Sequence, residues 1–417
     1  MGWQKMKEKV KIGCVGLGRR STALIEQCFS KMADVEIAMI CEKNEEYIEK
    51  IKTYLKENGN PEPIATREFD DLLENPELDA IVIMTGWQGR AELACKSMRA
   101  GKYTAIEVGG AFDLSECFKL VDTYEETGVP LMMLENCCYG REEMLALNVA
   151  EQGGFGEIVH CAGGYHHYLP DVELFVGLDG DYPHYRIKSY IERNCEQYPT
   201  HELGPISKVL KLNRGNKMLT LSSFSSKAAG LKARAKSLLG EDSPYAKIDY
   251  RQGDIVTTII TCLGGETIHL CLDTTTPRPY YSRNFTVRGS LGMYSEERKT
   301  LFFEGMEEEI ENNIGEMYEK YDHPLWREYL AEGEKGGHNG IDWLVCRAFI
   351  ESVKNETEPP IDVYDAALWM AATPLSEMSI ARGGAPVDVP DFTRGKWISR
   401  EPAVEGKYCL DKVCEVK

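Results

Sequence analysis

The segment from Lys11 to Ser21 reads KIGCVGLGRRS: a β-branched run that breaks at two glycines one residue apart and passes into a polar, amphipathic stretch. Gly16 permits a tight turn and Gly18 lets the backbone approach a pyrophosphate. The helix that follows offers free amides and the positive end of its dipole. Ser21 replaces the third glycine of G-x-G-x-x-G and is still small enough for close helix packing. Such a motif is weak alone, and its setting gives it weight. Strand-like runs at Val10 to Val15, Val35 to Cys41, Ala80 to Met84, Tyr103 to Val108 and Val129 to Leu134 alternate with helix-like stretches at Asn44 to Asn58, Gly89 to Ala100 and Leu114 to Gly128. Strands separated by helices form right-handed βαβ units, so residues 1–140 are expected to be α/β with a doubly wound parallel sheet.

The second of these strands ends in Cys41-Glu42, about 20 residues beyond the glycine turn, where a carboxylate accepts the ribose hydroxyls of adenosine and repels a 2′-phosphate. The expected cofactor of this Rossmann domain is therefore NAD, with contacts at Gly16, Gly18 and Glu42. Arg19 and Arg20 join the cofactor candidates, because an arginine at this place can also hold a 2′-phosphate.

The texture changes after residue 140. A helix-like stretch, Arg141 to Gln152, leads into a run from Gly156 to Tyr165 and a Tyr-rich region without clear period. Strand-like segments follow at Met218 to Phe224, Asp254 to Leu263, Glu266 to Thr274 and Asn284 to Tyr294. Gly264-Gly265 reads as a two-residue hairpin turn, which forces antiparallel pairing. Residues 141–417 are thus expected to be an α+β substrate-binding domain with a large, mainly antiparallel sheet, and the helices Ile341 to Lys354 and Val363 to Ala381 on one face. The acidic stretch Met306 to Glu319 reads as a solvated face.

Composition narrows the function. With 48 Lys plus Arg against 67 Asp plus Glu, the formal charge is −19. Binding to nucleic-acid phosphates needs clustered cations, and none stand out, so no nucleic-acid partner is expected. No apolar run reaches the ~18 residues that span a bilayer and no leader pattern opens the chain, so a cytoplasmic protein without a membrane partner is expected. The fourteen cysteines are scattered singly, without C-x-x-C, and read as buried thiols. His166 and His167 would face opposite ways on a strand, and no metal is expected.

Between the fifth strand and the C-terminus runs an ordered set of motifs: EVG at Glu107, ENCCYGREE at Glu135, GGYHH at Gly163, YPTHELGPI at Tyr198, DTTTPRPYYSR at Asp273, GGHNGIDW at Gly336, DVYDAALWMAATPLSEMSI at Asp362 and PDFTRGKW at Pro390. With GLGRRS at Gly16 they span nearly the whole chain. In this order they resemble glycoside hydrolase family 109, the NAD-dependent α-N-acetylgalactosaminidases, a branch of the glucose-fructose oxidoreductase and inositol dehydrogenase (Gfo/Idh/MocA) superfamily. Val108 stands where that superfamily usually has the lysine of Glu-Lys-Pro. Gly109 stands where family 109 has proline, Arg90 where it has histidine, Tyr168 and Pro170 where it has Asp and Arg, and Glu202 where it has glycine.

The resemblance implies a redox-neutral cycle on a small glycoside: oxidation at carbon 3, loss of the carbon 2 proton with expulsion of the aglycone, addition of water, and reduction. It implies cofactor contacts at Trp87, Arg90, Glu107, Val108 and Asn136. His201 is the candidate for the carbon 3 hydroxyl proton, held before a helix from Glu202 to Asn213, and Tyr165 is the candidate base at carbon 2. Tyr281 is favoured over Tyr280 as the further site tyrosine. Glu135 is counted with the catalytic set as a group that can orient a neighbour. Arg186, Tyr198, Pro199, Thr200, Tyr280 and His338 are the substrate-binding candidates. The alternatives are a sugar or cyclitol dehydrogenase and a sensor that keeps the cofactor fold. A homo-oligomer through the open face of the second sheet is also expected.

Overall fold

The computed structural model describes residues 8–178, 184–306, 310–401 and 406–413. Six parallel strands form the first sheet: β1 (Val10–Val15), β2 (Val35–Cys41), β3 (Ile64–Thr66), β4 (Ala80–Ile83), β5 (Tyr103–Ile106) and β6 (Leu131–Met133), in the order β3-β2-β1-β4-β5-β6. β4 and β5 are buried at every residue, as strands covered by helices on both faces must be. β3 was not expected. It is a three-residue edge strand with Ile64 exposed, too short and too wet to leave a hydrophobic run.

The second sheet has eight strands: β7 (Ile158–His166), β8 (Met218–Ser225), β9 (Ile255–Cys262), β10 (Thr267–Asp273), β11 (Thr286–Gly289), β12 (Gly292–Ser295), β13 (Thr300–Phe303) and β14 (Val387–Asp388), in the order β13-β12-β11-β7-β10-β9-β8-β14. Every pairing is antiparallel except β7 with β10. Burial alternates along β9 and β10, with one face turned inward.

Several expectations are corrected. The β9–β10 loop has three residues, not two: Thr261 pairs with Thr267, the Cys262 amide bonds the Glu266 carbonyl, and only Gly265 turns left-handed, at φ +97°. The run Asn284 to Tyr294 folds back on itself as β11 and β12, with Thr286 opposite Ser295. Of the acidic stretch Met306 to Glu319, residues 307–309 lie outside the described residues, and its helix is Ile314–Tyr321.

Of the two late helices, Val363–Ala381 packs on the second sheet as expected and Ile341–Asn355 does not. Ile341–Asn355 packs not on the second sheet but on β1 and the short turn Asn136–Tyr139. Its Phe349 ring lies 5.6 Å from Tyr103 of β5, and its Arg347 forms a two-pronged pair with Asp34. Val363–Ala381 lies between the helix Leu114–Thr127 and β8, which is why it is apolar all round rather than along one stripe. The chain after residue 340 therefore rejoins the first sheet and ties the two sheets together.

Candidate active site

At the glycine turn, Gly16 has φ +80°, and a Cβ there would press on Thr85 at 3.0 Å. A Cβ on Gly18 would meet nothing within 4 Å, so the turn faces open space at the start of the helix Arg19–Gln27. Ser21 is buried, its hydroxyl 3.4 Å from the Met84 carbonyl. Glu42 reaches back from the end of β2: one carboxylate oxygen accepts the Leu17 amide at 2.7 Å, the other the Lys43 and Asn44 amides at 2.7 and 3.0 Å. A side-chain-free cradle at a helix N-terminus with a carboxylate beside it fits the pyrophosphate and ribose of NAD.

Arg19 and Arg20 do not stand beside Glu42. Arg19 donates to the Val172 carbonyl at 2.9 Å. Arg20 grips Asp342 with two bonds of 2.7 and 2.8 Å and Glu107 with a third of 3.1 Å, so its charge is already matched. Asp342 also accepts from Asn136 at 2.7 Å and lies 2.6 Å from His338 Nδ1. Burial alone would raise the Asp342 carboxyl, but the bonds from His338 and Arg20 prevail and hold it far below the usual range. Two cofactor candidates, Arg20 and Asn136, and one substrate candidate, His338, thus converge on Asp342, an aspartate within GGHNGIDW that was not among the expected site residues. The substrate candidate His338 lies in this group.

Arg90, a cofactor candidate, turns its guanidinium to the backbone. It is buried and donates to the backbone carbonyls of Thr85, Glu107 and Val108, stapling the ends of β4 and β5 together. Gly109 has φ +135°, and a Cβ there would collide with the Trp87 indole nitrogen. Glycine at the position usually held by proline is therefore enforced by Trp87.

The second group of candidates is aromatic. Tyr165, next to last in β7, has its ring 4.4 Å from Tyr198, 5.6 Å from His201 and 6.2 Å from Tyr281. Its hydroxyl lies 3.0 Å from His167 Nδ1. His167 was read only as a poor metal ligand. It lies one residue beyond β7, and its ring comes back to the Tyr165 hydroxyl two residues earlier. Burial pushes the Tyr165 phenol well up and the His167 imidazole down, so both rest neutral at pH 7. Tyr281 turns toward His167 at 5.2 Å, whereas Tyr280 is 57% exposed and stacks on Arg278, away from the cluster. Arg186 is buried between Tyr198 and Trp87, at 4.5 and 5.2 Å from their rings, and pairs with Glu173 at 2.9 Å.

His201 is the second residue of the helix Thr200–Val209, which starts earlier than expected, with Pro199 as its cap and Thr200 buried. Its Nδ1 lies 2.7 Å from Glu135 Oε1, which also accepts the Cys137 amide at 3.0 Å. Burial works to raise the Glu135 carboxyl, but the neighbouring His201 charge and hydrogen bond keep it below the usual range. Glu135 thus orients the imidazole and leaves Nε2 for a substrate.

Comparison with known proteins fits both halves. Residues 139–399 match the family described as glycosyl hydrolase 109, C-terminal domain, and residues 10–135 match the oxidoreductase family, NAD-binding Rossmann fold. The chain is 36% identical over 415 residues to an alpha-N-acetylgalactosaminidase of Tannerella forsythia, an alignment covering 94% of this chain and 88% of that one.

The chain belongs to glycosyl hydrolase family 109.

A family 109 protein of Parabacteroides distasonis is similarly 36% identical, with 94% and 89% covered. Among solved structures, levoglucosan dehydrogenase in complex with NADH and levoglucosan superposes with a TM-score of 0.69 at 17% identity, covering 92% of this chain and 100% of that one, a likeness of fold. The chain is an NAD-dependent enzyme of the glycoside hydrolase class on a Rossmann fold.

Within this family 109 chain, Glu202 is the departure that matters most to the site. It turns toward Gly163 of β7, where an added Cβ would fall 2.6 Å from its own Cβ. Burial, then the nearby Glu196 and Glu135, push its carboxyl well above the ordinary range. Of the described helices, none is long and apolar enough to cross a membrane.

Proposed function

We propose that this enzyme releases terminal α-linked N-acetylgalactosamine from glycosides in a redox-neutral cycle. The observation that carries the reading is the His201 imidazole fixed by Glu135 beside Tyr165, in a chain more than one-third identical to an alpha-N-acetylgalactosaminidase. The Gly16–Gly18 turn and Glu42 would hold the phosphate and ribose ends of NAD, which when bound would supply a reversible hydride acceptor for the sugar.

The protein's own groups handle the protons. His201 Nε2 takes the carbon 3 hydroxyl proton, and the negative Glu135 steadies the imidazolium that results. Tyr165 takes the carbon 2 proton while its own hydroxyl proton passes to His167 Nδ1. A neutral phenol can act as a base only if its proton has somewhere to go. Arg186 and Tyr198 bind sugar hydroxyls and the acetamido group. Tyr281 closes the opposite wall.

The test is cleavage of aryl glycosides in deuterated water. The released sugar is expected to carry deuterium at carbon 2, with no net build-up of NADH. Cleavage without deuterium would overturn the elimination, and accumulating NADH would replace hydrolysis with net oxidation.

We infer also an oligomer through the outer face of the second sheet, where Phe224 and Ile259 are exposed among threonines. A reducing, cytoplasmic setting is in keeping with the described cysteines, which are free thiols, all buried except the half-buried Cys271.

A further inference from the structure

Glu135, Cys137 and His201 bring a carboxylate oxygen, a thiol sulfur and an imidazole nitrogen within 4.8 Å of one another. Sequence spacing did not show this set, because His201 arrives from the helix Thr200–Val209 while the other two sit on the short turn after β6. Glu135 is fully buried; its Oε1 accepts two hydrogen bonds, while Oε2 accepts none of good geometry, with the buried Thr200 hydroxyl a donor beside the carboxylate. A buried carboxylate oxygen without a well-aligned donor is costly, and a cation is one thing that would satisfy it.

We propose that these three residues form an inhibitory site for zinc, which binds the resting enzyme and withdraws His201 from catalysis. The inhibition rests on the reading of His201 as the base, while the binding site does not.

The ligand chemistry selects the ion. A mixed sulfur, nitrogen and oxygen set suits zinc and rejects magnesium or calcium, which want oxygen alone. One thiolate and one carboxylate balance the two positive charges, so the loaded site is neutral, as a buried place requires. With bonds of about 2.0 to 2.3 Å, the ligand atoms around a tetrahedral zinc stand roughly 3.3 to 3.8 Å apart, so the widest pair needs to close by about 1 Å while Glu135 and His201, now 2.7 Å apart, open by about 0.6 Å. Three protein ligands leave the fourth position for water or a sugar hydroxyl. The Cys137 amide, already bonded to Glu135, supplies the outer support that orients metal ligands.

Zinc on His201 Nδ1 takes the place of the Glu135 bond and leaves the proton on Nε2. The ring is then a donor toward the substrate and cannot accept the carbon 3 hydroxyl proton.

The experiment uses the full-length enzyme with its cofactor as isolated, freed of metal by a chelator. Titration with cobalt(II) is expected to give one equivalent bound with a thiolate-to-cobalt charge-transfer absorption, displaced by zinc. Zinc is expected to inhibit glycoside cleavage and a chelator to restore it. In Cys137→Ser and Cys137→Ala, each compared with its own metal-free rate, inhibition should need about 10- to 100-fold more zinc. No thiolate band in the unaltered enzyme, or equal zinc sensitivity in both variants, overturns the proposal. A cobalt band without inhibition upholds the site and removes His201 as the base.

Discussion

The two ends of the proposed site are built by opposite strategies. The cofactor end comes from one contiguous βαβ unit: Gly16, Gly18 and Glu42 all lie within the first 42 residues, and the Glu42 carboxylate is satisfied by three neighbouring amides. The sugar end is gathered from five distant segments carrying Glu135, Tyr165, Arg186, His201 and Tyr281. It also holds carboxylates that are only partly satisfied, since Glu135, Glu196 and Glu202 each bury an oxygen without a hydrogen bond of good geometry. A binding cradle can be made of backbone and remain relaxed. A site that moves protons needs groups held out of water, and here that costs polar satisfaction.

The largest expected effect breaks the cofactor end alone. Gly16→Val forces a side chain into a left-handed turn and against Thr85, so cofactor content, measured by absorbance after denaturation, should fall to near zero with all activity. Unfolding should remain cooperative. Retention of NAD would show that the turn does not hold the pyrophosphate. The next effect belongs to the sugar end. His201→Ala should lower kcat by about 10²- to 10⁴-fold, the usual weight of a positioned acid–base group, with cofactor content unchanged. If His201→Ala emptied the enzyme of NAD, the two ends would not be separable in this way.

This contrast also explains how much of the molecule the sequence shows. The first sheet could be read from its alternation of β-branched runs and charged helices, because local period and local burial coincide there. Only the wet edge strand β3 escaped. In the second half, period and burial separate: Asn284 to Tyr294 looks like one strand, but the turn between Gly289 and Gly292 folds it into two. The helix Val363–Ala381 shows no single apolar stripe because both of its sides are covered. Within the site, Gly16 and Glu42 followed from spacing, whereas His201 and Tyr165 came from resemblance alone. Asp342 and His167 were missed because their roles exist only through partners far along the chain or beyond the end of a strand.

A smaller effect separates orientation from chemistry. Glu135→Gln keeps a hydrogen-bond acceptor near His201 Nδ1 but removes the charge that favours imidazolium. It should lower kcat by about 10-fold or more, with KM and NAD content held. A fall in KM-dependent terms alone would make Glu135 a substrate ligand instead.

The smallest effect concerns stability, at the sugar end's least satisfied carboxylate. Burial pushes Glu196 up to about 8, against which its one bond, from the Tyr198 amide at 3.2 Å, pulls weakly. Glu202 is the acidic neighbour facing it. The folded protein therefore keeps a proton that the unfolded chain releases above about pH 4.3, and folding stability is lost as pH rises from there through about 8. Glu196→Gln keeps the bond to the Tyr198 amide and has no proton to lose. Near pH 4.5 the variant and the parent should melt alike. By pH 8 the variant should be more stable by a few kcal/mol, with 4 to 5 as an upper bound at about 1.4 kcal/mol per pH unit. Denaturant melts at pH 5, 6.5 and 8 measure the gap directly. A gap that stays constant with pH would mean that Glu196 is ionised in the folded state, and that the sugar end is as well satisfied as the cofactor end.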